Sequence, residues 1–218
     1  MNVPRCLFGS GSSAGIAIVA GGCDKNGCML KSAELYNSEL GTWESLPDMN
    51  LPRKNCSGFF MDEKFYVIGG ISSQSDCYSC GEEYNMKTRT WRRIHEMMIP
   101  GWGGPMESPP LVAVVNNQLY GADLTTNEVK KYEKTKNTWG VVKRLPVRAD
   151  SKYGWGLAFK ASGDKLVVAS GRRGTDGEDI VLHSWCPEDG NGGELDWDVL
   201  FIRERAGGFV HNCAVMGC

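Results

Sequence analysis

The side chains in this sequence that could carry recognition chemistry are mainly arginines and tryptophans. A guanidinium group can bind a carboxylate through two parallel hydrogen bonds and can stack on an aromatic ring, and both residue types are enriched among strongly contributing protein contacts. The candidates for a partner-binding face are Arg5, Arg53, Trp102, Arg148, Trp155, Arg172 and Arg173. Arg5 and Arg53 both follow a proline, and for them the alternative is a structural role in which each arginine pairs with a neighbouring repeat.

Cysteine pairs raise the possibility of a metal site. Cys23 and Cys28 are separated by four residues and Cys77 and Cys80 by two, so four thiolates could surround a zinc ion. A single CxxC pair is weak evidence, and the turn glycines expected between zinc-binding cysteines are missing at Tyr78 and Ser79. We therefore expect thiols and no metal or cofactor, with redox pairing as a minor alternative.

Residues suited to catalysis are few and scattered. The histidines are His95, His183 and His211. They fall at unrelated positions of the repeat described below, which favours structural roles. The acidic cluster of Asp176, Glu178 and Asp179 is interpreted as a solvated loop. Neither a Ser-His-Asp order nor a phosphate-binding loop stands out, so we expect a protein without catalytic activity.

Composition limits the class of protein further. The 218 residues include 24 Lys+Arg and 26 Asp+Glu, and 41% are hydrophobic, which is typical of a globular chain. The nearly balanced charge lacks the basic stripe of a nucleic-acid-binding protein. The apolar stretch near the start, residues 16–20, is too short for a membrane span or a signal-peptide core. We expect no membrane contact and a location in the nucleus, the cytoplasm or both.

The main signal is an internal repeat with an offset of 48 residues. The segment MNVPR at the start aligns with MNLPR from Met49, and the glycine pair Gly21-Gly22 aligns with Gly69-Gly70. The aromatic residues Tyr36 and Trp43 recur as Tyr84 and Trp91.

Two further copies keep part of this pattern. In the third, Tyr132 and Trp139 retain the spacing and Gly121 stands for the glycine pair, displaced by four residues. The fourth copy has Gly171 for the glycines. Its aromatic positions are Trp185 and Trp197. We interpret these aromatic residues as core.

Each repeat predicts four short antiparallel strands. The segment KFYVIGG is rich in β-branched and aromatic residues and ends at glycines, and GEEYNMKTRTWRRI reads as two strands around a turn at residues 85–88. One such sheet cannot bury both faces alone, so the repeats must stack. Four-stranded units repeating at about 50 residues predict an all-β propeller. Its blades span about 1–48, 49–96, 97–144 and 145–204.

The glycine pair, the tyrosine and the tryptophan seven residues later resemble the kelch repeat. Three segments have sequences similar to the kelch half of plant F-box/kelch-repeat proteins, namely MNVPRCLFGS, HSWCPEDG and FVHNCAVMGC. That resemblance implies a propeller presenting a target protein to an SCF-type ubiquitin ligase, while the F-box binds a Skp1-like adaptor. These 218 residues hold no leucine-rich helical segment like an F-box, so adaptor contact requires a segment outside them. The resemblance also implies the alternative of a metal-dependent enzyme, because some kelch propellers use copper or iron.

The resemblance places a target protein or peptide on the loops at one end of the propeller. Those loops follow the glycine pair or join one blade to the next. Residues 205–218 read as the first strand of a closing fifth blade, whose other strands would come from sequence upstream of Met1. The alternative is a four-bladed ring with a loose tail.

Overall fold

The computed structural model describes residues 1–72, 76–99, 108–148, 155–174, 177–187 and 197–203. Within this part of the chain all regular secondary structure is β-strand, as the sequence predicts. The same residues contain no helix that is both long and apolar enough to cross a membrane.

In the described residues, sixteen strands form four antiparallel sheets, each built from four consecutive strands. The first sheet contains β1 (Gly9–Ser13), β2 (Ile16–Ala20), β3 (Ala33–Asn37) and β4 (Thr42–Leu46). The second contains β5 (Ser57–Met61), β6 (Lys64–Ile68), β7 (Gly81–Asn85) and β8 (Thr90–Ile94). The third contains β9 (Val112–Val115), β10 (Gln118–Asp123), β11 (Glu128–Glu133) and β12 (Thr138–Arg144). The fourth contains β13 (Leu157–Ser162), β14 (Lys165–Gly174), β15 (Gly177–Trp185) and β16 (Asp198–Arg203). We call these sheets the first to fourth blades. Residues 205–218, interpreted above as a further strand, lie outside the described residues.

Asparagine side chains define the turn between the third and fourth strands of the first two blades. Asn37 Oδ1 accepts hydrogen bonds from the N–H groups of Glu39 and Leu40. Asn85, at the equivalent position, accepts from the two residues at 87 and 88 in the same way. Because such Asx turns reverse the chain in place, the tyrosine before each turn comes to lie opposite the tryptophan after it.

The chain divides into two compact units. The first unit comprises Met1–Pro110 with Lys134–Thr138, and the second comprises Leu111–Glu133 and the chain from Trp139 onward. The core of the first unit lies between its two blades and includes Ile18, Phe65 and Tyr84. In the second unit, Val115 and Tyr120 of the third blade pack with Phe159 and Leu166 of the fourth. Each pair of blades therefore shares one hydrophobic core. Burying each large apolar side chain in such a core contributes about 1.5–3 kcal/mol to stability.

The repeated aromatic residues form cross-strand pairs within each blade. Ring centroids are 5.1 Å apart for Tyr36–Trp43, 5.0 Å for Tyr84–Trp91, 5.1 Å for Tyr132–Trp139 and 5.9 Å for Trp185–Trp197. In the first unit, Trp91 Nε1 donates to the carbonyl of Pro47 in the preceding blade at 2.8 Å. In the second unit, Trp197 Nε1 donates to the carbonyl of Arg144 at the same distance. The indole rings therefore link one blade to the next within each unit.

Glycine pairs permit close backbone approach in the first two blades. Gly21 and Gly22 have φ values of 70° and 88°, and a Cβ on either would lie 2.4 Å from a backbone carbonyl oxygen. Gly121 and Gly171 differ, because they lie inside β10 and β14, where they are paired with Lys130 and Ile180. In the third and fourth blades the strands run on past the glycine, so these two positions do not reproduce the glycine-pair geometry.

Candidate functional site

In the first unit, the segment before each blade lies alongside the loop that follows its second strand. Cys6 forms an antiparallel bridge with Cys23, and Lys54 forms the equivalent bridge with Ile71. Each loop then returns and pairs with itself, through Met29 in the first blade and Cys77 in the second. The two kinds of loop expected at one end of the fold are thus adjacent. We call residues 6–7, 23–29, 54–55, 71–72 and 76–79 the loop face.

Exposed side chains on the loop face are of mixed character. They include an apolar side chain, Leu7, which is 49% exposed. The other exposed residues of this surface are Cys6, Lys25, Asn26, Gly27, Cys28, Asp76 and Ser79. The loops therefore present a mixed polar and apolar surface on closely paired backbone.

Arg5 and Arg53, predicted as contact residues, are buried instead. Their side chains are 0% exposed, and each forms an ion pair with a glutamate, Arg5 with Glu34 at 2.8 Å and Arg53 with Glu82 at 2.9 Å. The prediction that they contact a partner is therefore wrong for the folded protein. Their contacts favour the structural alternative, although both glutamates lie in the same repeat as the arginine and not in a neighbouring one.

Each buried arginine also binds the first glycine of the pair and the backbone where the following loop ends. Arg53 Nη1 donates to the carbonyls of Gly69 at 2.6 Å and Cys80 at 3.1 Å, while Arg5 Nη1 donates to Gly21 and Ser32. One guanidinium group therefore closes the base of the loop that starts at the glycines. This network positions the loop face.

The glutamates complete the network from the other side. Glu34 accepts hydrogen bonds from the backbone N–H groups of Asn2 and Val3, and Glu82 accepts from Asn50 and Leu51. Burial raises the pKa of the Glu34 carboxyl, but those N–H groups and the Arg5 guanidinium outweigh it, so its pKa lies below its usual value. Glu34 is therefore held as a carboxylate.

These glutamates are structural positions that support the loop face, and the sequence reasoning missed them. They carry a signal, because Glu34 and Glu82 are separated by the same 48 residues as Arg5 and Arg53. Extending the repeat alignment through AELYN and GEEYN would have paired each arginine with its glutamate.

A backbone hydrogen bond joins the two blades at the loop face. The N–H of Asn55 donates to the carbonyl of Leu7 at 2.7 Å. Both residues have a left-handed backbone conformation, with φ of 58° at Asn55 and 56° at Leu7. Asparagine tolerates this region, whereas leucine adopts it at a cost in free energy. The loop face thus holds one strained, half-exposed apolar residue.

The remaining predicted contact residues lie in the second unit or outside the described residues. Arg148 is exposed and Trp155 is half-buried, both in the second unit. Trp102 lies outside the described residues. Arg172 and Arg173 were expected in a loop, but they lie on β14, opposite Asp179 and Glu178 of β15. Because β14 and β15 continue as a hairpin to residue 177, the loop expected at 172–178 is reduced to two residues.

The candidate acidic residue Asp179 is placed differently from the expectation, and the candidate metal-binding cysteines have separate contacts. Asp179 is buried on β15 and not in a solvated loop. Cys23 faces Cys6, and the sulfur of Cys80 accepts a hydrogen bond from Arg53. Among the residues that the structure describes, no cluster of three or more His, Cys, Asp or Glu side chains is arranged to hold a metal ion.

The two histidines among the described residues occupy unrelated environments. His95 is exposed just after β8, and its carbonyl accepts a hydrogen bond from Asn137. His183 is half-buried on β15. His211 lies outside the described residues.

Comparison with known proteins places this arrangement in a family. Two copies of the Kelch motif match residues 4–50 and 52–98. Three Arabidopsis thaliana proteins match the whole chain: F-box/kelch-repeat protein SKIP11 at 53% identity, At1g26930 at 48% and At1g74510 at 49%. The chain covers 48%, 53% and 51% of these relatives, respectively, and so spans about half their length.

A solved structure supports the fold independently. The structure of YjhT superimposes with a TM-score of 0.64, covering 96% of this chain and 68% of its own, at 16% identity, a likeness that concerns the fold alone. The strand order, the paired glycines and the repeated aromatic pairs agree with these matches. The chain belongs to the kelch-repeat β-propeller family, and along its whole length it is similar to plant F-box/kelch-repeat proteins.

Proposed function

We propose that this chain is a non-catalytic interaction module that binds a target protein through its loop face. Within a longer F-box/kelch protein it would be the substrate-recognition part of an SCF-type E3 ubiquitin ligase. The observation that carries the proposal is the similarity of the whole chain, at 48–53% identity, to proteins named for an F-box and kelch repeats. An adaptor of the Skp1 type would bind the F-box and not the loop face.

The geometry of the first unit supports binding by a preorganised surface. The base of each loop is held by a buried guanidinium group and by a backbone bridge, at Cys6–Cys23 in one blade and Lys54–Ile71 in the other. Loops that are already ordered lose little conformational entropy when a partner docks. The side chains at their tips therefore define a surface before any partner arrives.

Charge on this surface is less basic than the sequence predicts. Arg5 and Arg53 are neutralised inside the fold, which leaves Lys25 and Lys54 as basic groups beside the acidic Asp24 and Asp76. We therefore propose a mixed polar and apolar target surface, with no general preference for acidic or phosphorylated segments.

The test is a quantitative pull-down with the full-length protein. The variant Lys25→Ala with Asn26→Ala alters the tip of the first loop, where both side chains are exposed. The matched control is Lys87→Ala, in the β7–β8 turn, whose side chain is 86% exposed. We expect recovery of the partner to fall for the loop variant and to persist for the control. Equal recovery by both folded variants would remove the loop face as the binding surface.

The ligase role is tested separately. The captured target is incubated with the full-length protein, a Skp1-like adaptor, a cullin, a RING subunit and the ubiquitin-activating and ubiquitin-conjugating enzymes. We expect ubiquitin transfer that requires both the adaptor and the loop face. Target binding without adaptor-dependent transfer would contradict the ligase role and leave the interaction module intact. Stoichiometric copper or iron in the purified protein would instead favour a metal-dependent enzyme.

A further inference from the structure

Two cysteines of the loop face lie directly opposite each other. The N–H of Cys6 donates to the carbonyl of Cys23 at 3.0 Å, and the N–H of Cys23 donates back to the carbonyl of Cys6 at 2.9 Å. Their sulfur atoms are 3.4 Å apart. Residues that exchange both hydrogen bonds in an antiparallel pair have Cα atoms about 5.5 Å apart, which is within the range of about 4.4–6.8 Å that a disulfide spans.

The second blade shows that this backbone pairing does not need cysteine. Lys54 and Ile71 occupy the equivalent positions and form the same two-way bridge, with N–H to carbonyl distances of 3.4 and 2.9 Å. A lysine and an isoleucine therefore satisfy the geometry of the fold. The thiol pair is an addition specific to the first blade, and packing alone does not explain it.

The two thiols differ in access and reactivity. Cys6 is exposed and Cys23 is buried. Burial and the neighbouring Cys6 sulfur raise the pKa of the Cys23 thiol, while the charge of Lys54 opposes that rise. An external reagent therefore meets Cys6 first, and Cys23 lies within reach as the second thiol.

We propose that Cys6 and Cys23 form a reversible disulfide site that is oxidised by small-molecule disulfides such as glutathione disulfide. In the first step the Cys6 thiolate attacks the reagent's S–S bond, giving a mixed disulfide and releasing one molecule of thiol. In the second step the Cys23 thiolate attacks the Cys6 sulfur and releases the second molecule of thiol. The reagent gains two electrons, the protein loses two, and the two thiol protons end on the released thiols.

The expected consequence is local. The disulfide would join the segment before β1 to the loop after β2, across the base of the loop at 23–29. This inference does not depend on the proposed function, because it concerns only the geometry of the two thiols.

In the experiment, the full-length protein is incubated with glutathione disulfide and then alkylated. It is digested with trypsin, and the peptide masses are measured by mass spectrometry. Cleavage after Arg5 and Lys25 releases residues 6–25 as one peptide containing both cysteines. We expect that oxidation prevents alkylation of both cysteines. The peptide mass should then be that of the unalkylated dithiol peptide minus two hydrogen atoms. Reduced glutathione should restore both alkylations. Two results would overturn the proposal. One is full alkylation of this peptide after treatment with glutathione disulfide, and the other is a stable glutathione adduct on Cys6 of the protein without substitutions.

Variants separate the pair from its neighbours. Cys23→Ser should trap glutathione on Cys6, whereas Cys28→Ser, the matched control on the same loop, should leave the disulfide unchanged. Loss of the disulfide in Cys28→Ser would show that Cys28 is the true partner and would overturn the assignment. In a Cys6→Ser and Cys23→Ser background, Lys54→Cys with Ile71→Cys should form a new disulfide in the second blade. Failure of that transplanted pair to oxidise in a folded variant would also count against the geometric argument.

Discussion

Replacing Glu82 by glutamine should destabilise the first unit far more than the same change at a surface ion pair. The carboxylate and Arg53 are both 0% exposed, so Glu82→Gln leaves a guanidinium charge buried without its counter-ion. Unit charges about 4 Å apart at an effective dielectric constant of about 20 attract by about 4 kcal/mol. Breaking a buried pair by removing one partner costs about 3–5 kcal/mol, which agrees with this electrostatic figure.

Hydrogen bonding adds to the electrostatic loss. Glu82 Oε2 accepts from the N–H and the side-chain amide of Asn50, and Oε1 accepts from Leu51 and Arg53. A glutamine amide nitrogen, in either orientation, must face two donors where an acceptor is needed. We therefore expect a loss of at least about 3 kcal/mol, near the lower bound for breaking a buried pair.

The measurement is urea unfolding followed by circular dichroism, with variants compared at equal m-values. The matched control is Glu44→Gln, which breaks the pair with Arg89, whose side chains are about half exposed. That change should cost far less, because solvent screens an exposed ion pair. A loss for Glu82→Gln no larger than for Glu44→Gln would refute the reasoning.

Three further predictions concern the loop face and the backbone near it. Gly22→Ala should destabilise by about 3 kcal/mol or more, because its new Cβ would meet a carbonyl oxygen at a φ of 88°, whereas Gly27→Ala, with a similar φ and nothing within 4 Å, should cost about 1 kcal/mol. Equal losses in urea unfolding would contradict the steric argument. Leu7→Asn should stabilise by about 0.5–1 kcal/mol, because asparagine already occupies the equivalent left-handed position at Asn55. A lower melting temperature would count against backbone strain at Leu7. Because the folded pKa of Glu34 is lowered, its contribution to stability is present above the usual glutamate pKa of about 4.3 and is lost as pH falls below it. Urea midpoints from pH 7 to pH 3 should decline less steeply for Glu34→Gln, and an identical decline would be inconsistent with that linkage.

The strands of the first two blades could be predicted because local chemistry and the repeat agree there. The β-branched run before Gly69 gives β6, and the turn after Asn85 separates β7 from β8 at the expected place. Where the repeat is degenerate, the sequence was less informative. Gly121 and Gly171 have the right residue type, but β10 and β14 continue through them, because a short hairpin replaces the loop of the first two blades.

The candidate site was harder to predict because residue type does not report burial. From the sequence, Arg53 was predicted to be an exposed residue that contacts a partner. Its side chain is instead buried and forms an ion pair with Glu82, 29 residues away in the chain. Such pairing depends on how a linker folds back on β7, which composition does not reveal. The pairing of Cys23 with Cys6 was likewise not predicted, because it depends on a two-residue bridge outside the regular strands.

Each arginine–glutamate network is contained within a single repeat. Its members run from Asn2 to Glu34 in the first copy and from Asn50 to Glu82 in the second. A tandem duplication that copies one whole repeat therefore copies a charge-neutral interior with it. Blades could be gained or lost during evolution without leaving a buried charge unpaired. The condition is that the breakpoints fall ahead of the Met-Asn-x-Pro-Arg segment and not between it and the third strand of the blade.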